Sequence, residues 1–90
     1  MNHVEGREKG EVKLFALSTC VWCKKTKALL KELGVGYDYV DVDMLDSTEK
    51  AKALAEIHDW NPSCSFPTLV IGNQKCIAGF DEARIREELG

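Results

Sequence analysis

Cys20 and Cys23 stand where one hydrophobic pattern gives way to another, and this placement constrains the fold of the chain more than any other feature. Before the pair, Val12 to Leu17 (VKLFAL) is a short, nearly continuous apolar run, as expected of a strand buried on both faces of a sheet. After it, from about Trp22, Leu29, Leu30 and Leu33 recur at helical spacing with Lys24, Lys25, Lys27 and Lys31 among them, and Gly34 supplies a stop. The C-x-x-C therefore sits at a strand-to-helix junction. Thiol–disulfide exchange needs a thiolate that attacks and a second thiol close enough to cut the mixed disulfide, and two intervening residues place the second sulfur one helical turn on. Just before the first turn, Cys20 meets unpaired backbone N–H groups and the positive end of the helix dipole, which stabilise a negative sulfur. Cys23, inside the helix, is expected to be the less exposed resolving thiol.

The rest of the chain supplies the frame. Tyr37 to Asp43 (YDYVDVD) alternates and is rich in aromatic and β-branched residues, so it reads as a second strand. Asp46 to Glu49 has the D-x-x-E form of a helix N-terminus, in which the acid at the third position reaches back, and Ala51, Leu54, Ala55 and Ile57 are expected on the apolar face of that helix. Asn61 and Pro62 end this region before a short apolar strand, Thr68 to Ile71. Gly72-Asn73-Gln74 turns the chain, Lys75 to Ala78 returns it as a hairpin partner, and Asp81 caps a last helix that buries Ile85 and Leu89. The expected plan is β-α-β-α-β-β-α: an α/β fold with a four-stranded mixed sheet flanked by three helices. Residues 1–10, polar and charged, are expected to form a flexible arm, with the domain occupying 11–90.

Ninety residues hold one domain. Twelve basic and 15 acidic residues give a net charge of -3, which lacks the concentrated positive field that nucleic acid attracts. No apolar run approaches the roughly 20 residues needed to span a bilayer, and the first ten residues carry no apolar signal core, so a cytoplasmic monomer is expected. In a reducing compartment the four cysteines require a reading other than structural disulfides. The alternative to redox chemistry is half of a zinc site, completed from Cys64, Cys76, His58 and His3; none of these forms a second C-x-x-C, and no metal site is expected.

Three motifs then resemble those of the glutaredoxin branch of the thioredoxin superfamily, and within it those of NrdH-redoxins and related glutaredoxin-like proteins. They are Cys20-Val21-Trp22-Cys23 followed by Lys24-Lys25-Thr26-Lys27, Ser65-Phe66-Pro67-Thr68, and Ala78-Gly79-Phe80-Asp81. The resemblance covers about Val12 to Gly90. It implies a thioredoxin-like fold, Cys20 as nucleophile and a cis bond before Pro67. It also implies that the backbone of Phe66 is free to pair with a substrate strand, and that Val21, Trp22, Gly79, Phe80 and Asp81 border the substrate. The partners implied are protein disulfides, with ribonucleotide reductase a candidate among them, and a dedicated disulfide reductase or glutathione as electron donor. No resident cofactor is implied, although glutathione is a candidate co-substrate. The C-P-Y-C, T-V-P and G-G-x-S/T-D segments of glutathione-using relatives are replaced here, which places a glutathione-dependent glutaredoxin second. A metal or iron–sulfur carrier comes third, because such carriers resemble a C-G-F-S motif that is absent from this sequence.

Other residues carry weaker signals. Cys64, three residues before Pro67, is a candidate regulatory thiol, set against a loop cysteine without a role. Cys76 reads as a small core residue and His58 as a helix-end residue. Asp38, Asp41 and Asp43 alternate along a strand and so divide over two faces, which argues against a shared cation.

Overall fold

Period-two alternation separates two apolar sets on the strands, and the sheet forms between them. In the computed structural model, which describes residues 2–90, strands β1 (Asn2–Val4), β2 (Val12–Ala16), β3 (Tyr37–Asp41), β4 (Thr68–Ile71) and β5 (Lys75–Ala78) lie in the order β1-β3-β2-β4-β5. Strands β2 and β3 run parallel, and the other neighbouring pairs run antiparallel. Helix α1 (Val21–Leu33) follows β2, α2 (Ser47–Trp60) follows β3 after a 3-10 turn over Val42–Met44, and α3 (Glu82–Leu89) closes the chain. Val12, Leu14 and Ala16, with Leu69, Ile71 and Ile77, pack against Cys23, Leu29 and Leu30 of α1 and Ile85 and Leu89 of α3. Phe15, Val40 and Val70 point to the opposite face and meet Ile57 of α2 beside Val42.

The sheet has five strands where four were expected. The expected arm over 1–10 supplies the fifth: Asn2–Val4 pairs with Tyr37–Tyr39, and His3 Nδ1 shares a 2.7 Å hydrogen bond with Asp38. Met1 lies outside the described residues. Beyond the strand, Arg7 N–H donates to Gly34 O (2.7 Å), Gly36 N–H donates to Arg7 O (2.9 Å), and the Arg7 guanidinium donates to Leu33 O (2.7 Å). A Cβ on Gly6 would lie 2.5 Å from Gly36 N, so only glycine allows this approach. The physical reason for the extra strand is that β3 would otherwise be an open edge, and the segment that follows the strand gives the carbonyls of Leu33 and Gly34, at the end of α1, a donor in Arg7.

The helix ends follow the expected capping with small departures. Gly34 takes φ 70° and its N–H donates to the carbonyls of Leu30 and Lys31, ending α1. Asp46 accepts from Glu49 N–H at 2.8 Å, but the Glu49 carboxylate faces Lys52 instead of reaching back. The second strand stops at Asp41, because Val42–Met44 turns into α2. The apolar face expected on α2 is also shifted: Ala51, Leu54 and Ala55 are exposed, and Ile57 is buried with Ala53 and Trp60 beside it. Among the described residues, no helix is long and apolar enough to cross a membrane.

Candidate active site

The strand register brings three loops to one end of the sheet. Phe15 pairs with Thr68 and Thr68 with Ala78, so the segments after β2, before β4 and after β5 emerge together. The first of these segments is tightly held. Ser18 N–H donates to Asp43 at 2.8 Å, and the Ser18 hydroxyl donates to the second oxygen of the same carboxylate. Cys20 N–H then donates to Leu17 O at 3.2 Å. The two bonds from Ser18, hydroxyl first, hold the Asp43 carboxyl below its ordinary value.

Cys20 is the N-cap of α1, with extended backbone, and its sulfur accepts the N–H of Cys23 at 3.1 Å. The sulfur of a partly buried cysteine therefore sits on the donor end of the helix, at the junction expected from the sequence. Cys23 is fully buried in the larger core. Burial first, and then its hydrogen bond with Cys20, push the Cys23 thiol from 9.0 up to about 12. All four cysteines are free thiols.

Val21 is 61% and Trp22 54% exposed, so large apolar surface borders Cys20. Trp22 stacks on Phe80 at 5.9 Å between ring centroids, with the Lys25 ammonium 4.7 Å from the indole centroid. This stack joins the first loop to the third. Lys27 instead bonds Asp41 at 2.9 Å and lies over the Tyr39 ring. In the middle loop the Phe66–Pro67 bond is cis, and Pro67 is buried. Pro67 O accepts from Gly79 N–H at 2.8 Å, tying the second loop to the third.

The structure thus gathers Cys20, Cys23, Val21, Trp22, Phe66, Pro67, Gly79 and Phe80 at one end of the sheet. Asp81 is adjacent, but its carboxylate accepts from Arg84 N–H at 3.1 Å as the cap of α3. Cys64 packs into the core under α2, whereas Cys20 packs against the core under α1. Cys76, in β5, is half-buried, and burial raises its thiol. The three aspartates do not converge: Asp38 bonds His3, Asp41 bonds Lys27, and Asp43, in the 3-10 turn beyond the strand and not on one of its faces, bonds Ser18. Among the described residues, no group of three or more His, Cys, Asp or Glu side chains is placed to hold a metal ion. Neither Ser18 nor Asn61 stands out as a site residue in the sequence, where Asn61 reads only as a breaker; its side chain organises the middle loop, and a buried amide is not visible in a hydrophobic pattern.

Fold and dithiol together define a class: an α/β protein of thioredoxin-like architecture with a cysteine pair on the first turn of its first helix. Comparison with known proteins narrows the class. A model of the Glutaredoxin family matches residues 12–77. A glutaredoxin-like 8.6 kDa protein of the rubredoxin operon of Clostridium pasteurianum is 32% identical over 74 residues, covering 82% of this chain and 91% of the relative. The crystal structure of a glutaredoxin from Methanosarcina mazei superposes with a TM-score of 0.93 at 55% identity, covering 99% of this chain and 86% of that one. Methanoredoxin from Methanosarcina acetivorans gives 0.92 at 50% identity, covering 94% and 90%. The chain belongs to the glutaredoxin family, and its activity in general terms is thiol–disulfide oxidoreduction.

Proposed function

We propose that the protein is a dithiol reductase of protein disulfides, with Cys20 as nucleophile and Cys23 as resolving thiol. The observation that carries this reading is the asymmetry of the pair: a partly buried Cys20 whose sulfur accepts a helix N–H at 3.1 Å, beside a fully buried Cys23 held up to about 12. The Cys20 thiolate attacks one sulfur of a substrate disulfide, and the other sulfur leaves as a thiolate that takes up a proton. The mixed disulfide removes the negative charge on Cys20, and with it part of what holds the proton on Cys23. Cys23 then loses its proton, attacks Cys20, and releases the second substrate thiol. Two electrons and two protons have passed to the substrate, and a Cys20–Cys23 disulfide remains.

The substrate strand lies along Phe66 and Pro67, bordered by Val21, Trp22, Gly79 and Phe80. The protein works as a single chain in the cytoplasm without a resident cofactor. A dedicated disulfide reductase returns the electrons, as in NrdH-redoxins; ribonucleotide reductase as acceptor rests on the resemblance of Cys20-Val21-Trp22-Cys23 and Gly79-Phe80 alone. The test is reduction of a protein disulfide, with intact masses recorded in glutathione redox buffers. Cys20→Ser is expected to lose the activity, and retained turnover would overturn the nucleophile. Cys23→Ser is expected to stall as a mixed disulfide with the substrate protein. Ready reduction of the wild type by glutathione, with a single glutathione adduct on Cys23→Ser, would replace the dedicated reductase by glutathione as donor.

A further inference from the structure

We propose that Asn61 is a positioning residue for the exchange reaction, holding the backbone of Ser65 and Phe66 where a substrate strand must meet it. The inference rests on the reading of Phe66 and Pro67 as the substrate-pairing segment. Asn61 is 7% exposed and is the residue at which α2 ends. Its N–H donates to Ile57 O at 2.6 Å, and its carbonyl accepts from Cys64 N–H at 2.8 Å, so the backbone alone starts the turn into the loop.

The side chain completes it. Asn61 Nδ2 donates to Ser65 Oγ at 2.8 Å and to Thr68 Oγ1 at 3.2 Å, and lies 3.4 Å from Ser65 O. Asn61 Oδ1 accepts from the Ser63 hydroxyl at 2.7 Å, and Thr68 Oγ1 donates to Ser65 O at 2.7 Å. The carbonyl of Ser65 only accepts, so the amide nitrogen has to face it, and the amide oxygen is left for Ser63. Two buried side chains, Asn61 and Thr68, therefore clamp the residues on either side of Phe66-Pro67. Among the described residues, no backbone hydrogen bond occupies the N–H or C=O of Phe66. The clamp leaves this half-buried residue's backbone in place and available.

The loop has no helix or strand of its own between Trp60 and Thr68, so without such bonds its backbone would regain conformational freedom. A part-buried network anchored on the buried Asn61 and Thr68, with no buried side-chain polar atom left unpaired among the described residues, is the kind of contact that selects one conformation. None of these atoms bonds to either sulfur of the pair, so the clamp acts on substrate alignment and not on thiol reactivity.

The experiment compares wild type, Asn61→Ala and Thr68→Val in three assays. These are reduction of insulin, reduction of the small disulfide of hydroxyethyl disulfide, and alkylation of Cys20 by iodoacetamide. Misalignment of a reacting pair costs on the order of 10- to 100-fold, so kcat/KM for insulin is expected to fall about 10-fold in Asn61→Ala and by less in Thr68→Val. The two small-reagent rates are expected to stay within roughly two-fold, since neither reagent needs a paired strand. Equal losses in all three assays, or no loss in any, would overturn the proposal. Where Asn61→Ala does not fold, Thr68→Val and Ser65→Ala decide by the same criterion. A wild type inactive on insulin would instead defeat the reading as a protein-disulfide reductase. Hydrogen exchange of the Phe66 amide then tests the clamp alone, with faster exchange in the variants supporting it and unchanged exchange overturning it.

Discussion

On the α1–α3 side of the sheet, Leu14, Leu30, Ile85 and Leu89 are completely enclosed and touch one continuous core that also holds Cys23. On the α2 side, Ile57 is the one residue of the helix so enclosed, and Phe15, Val40, Leu45 and Ala53 line an opening of about 200 Å³ rimmed by Glu49, Lys52 and Glu56. The same sheet therefore carries a dense layer and a thin one. The difference teaches where stability and chemistry coincide: the helix that presents Cys20 is anchored in the dense layer, and α2 is expected to open locally at lower cost than global unfolding. Phe66 belongs to both, since its side chain packs against each core.

This contrast is open to direct attack. The largest effect is expected for Leu30→Ala, which removes a fully enclosed side chain from the dense layer and should cost about 3–5 kcal/mol by urea denaturation. Ile57→Ala should cost less, about 2–3 kcal/mol, because the thin layer beside it relaxes into the gap. If the two variants cost the same, and α2 amides exchange only with global unfolding, the contrast is broken. Next in size is Ala53→Leu, which extends into the opening beneath α2 and should raise stability by about 1 kcal/mol. A destabilised Ala53→Leu would mean that the thin layer is already full.

The smallest effect falls at the sheet's outer edge. Its hydrogen bond to Asp38 raises His3 above its ordinary 6.5. A raised folded value means that the contribution is fully present below pH 6.5 and is lost as pH rises through the folded value. The β1–β3 contact should therefore loosen from near neutrality upward. The check is the His3 ring titration by NMR, with Asp38→Asn as control. An unchanged titration in Asp38→Asn would remove the link between this edge and pH.

The parts of the fold legible in the sequence were those written in local chemistry. Apolar runs gave β2 and β4, Gly34, Asp46 and Asp81 gave helix ends, and the C-x-x-C at a periodicity switch gave the dithiol. What escaped depends on long-range pairing. Asn2–Val4 is three residues long and polar, and becomes a strand only because β3 offers it an open edge. The shifted face of α2 escaped because alanines at 51, 53 and 55 look alike in the sequence, and the side that turns inward is the one that carries Ala53, Ile57 and Trp60. Asn61 escaped because Asn-Pro reads as a plain breaker, whereas its buried amide spans seven residues to reach Thr68.

The register that gathers the reactive loops also determines what lies farthest from them. Val12 pairs with Ile71 at the end of the sheet opposite the Phe15–Thr68 pair, so the Gly72-Asn73-Gln74 turn faces away from Cys20. That exposed turn is a natural anchorage: a fluorophore, bead or electrode linked through Gln74→Cys, against a background lacking Cys64 and Cys76 and with Cys20 and Cys23 closed as a disulfide during coupling, would hold the protein with its dithiol pointing outward into solution.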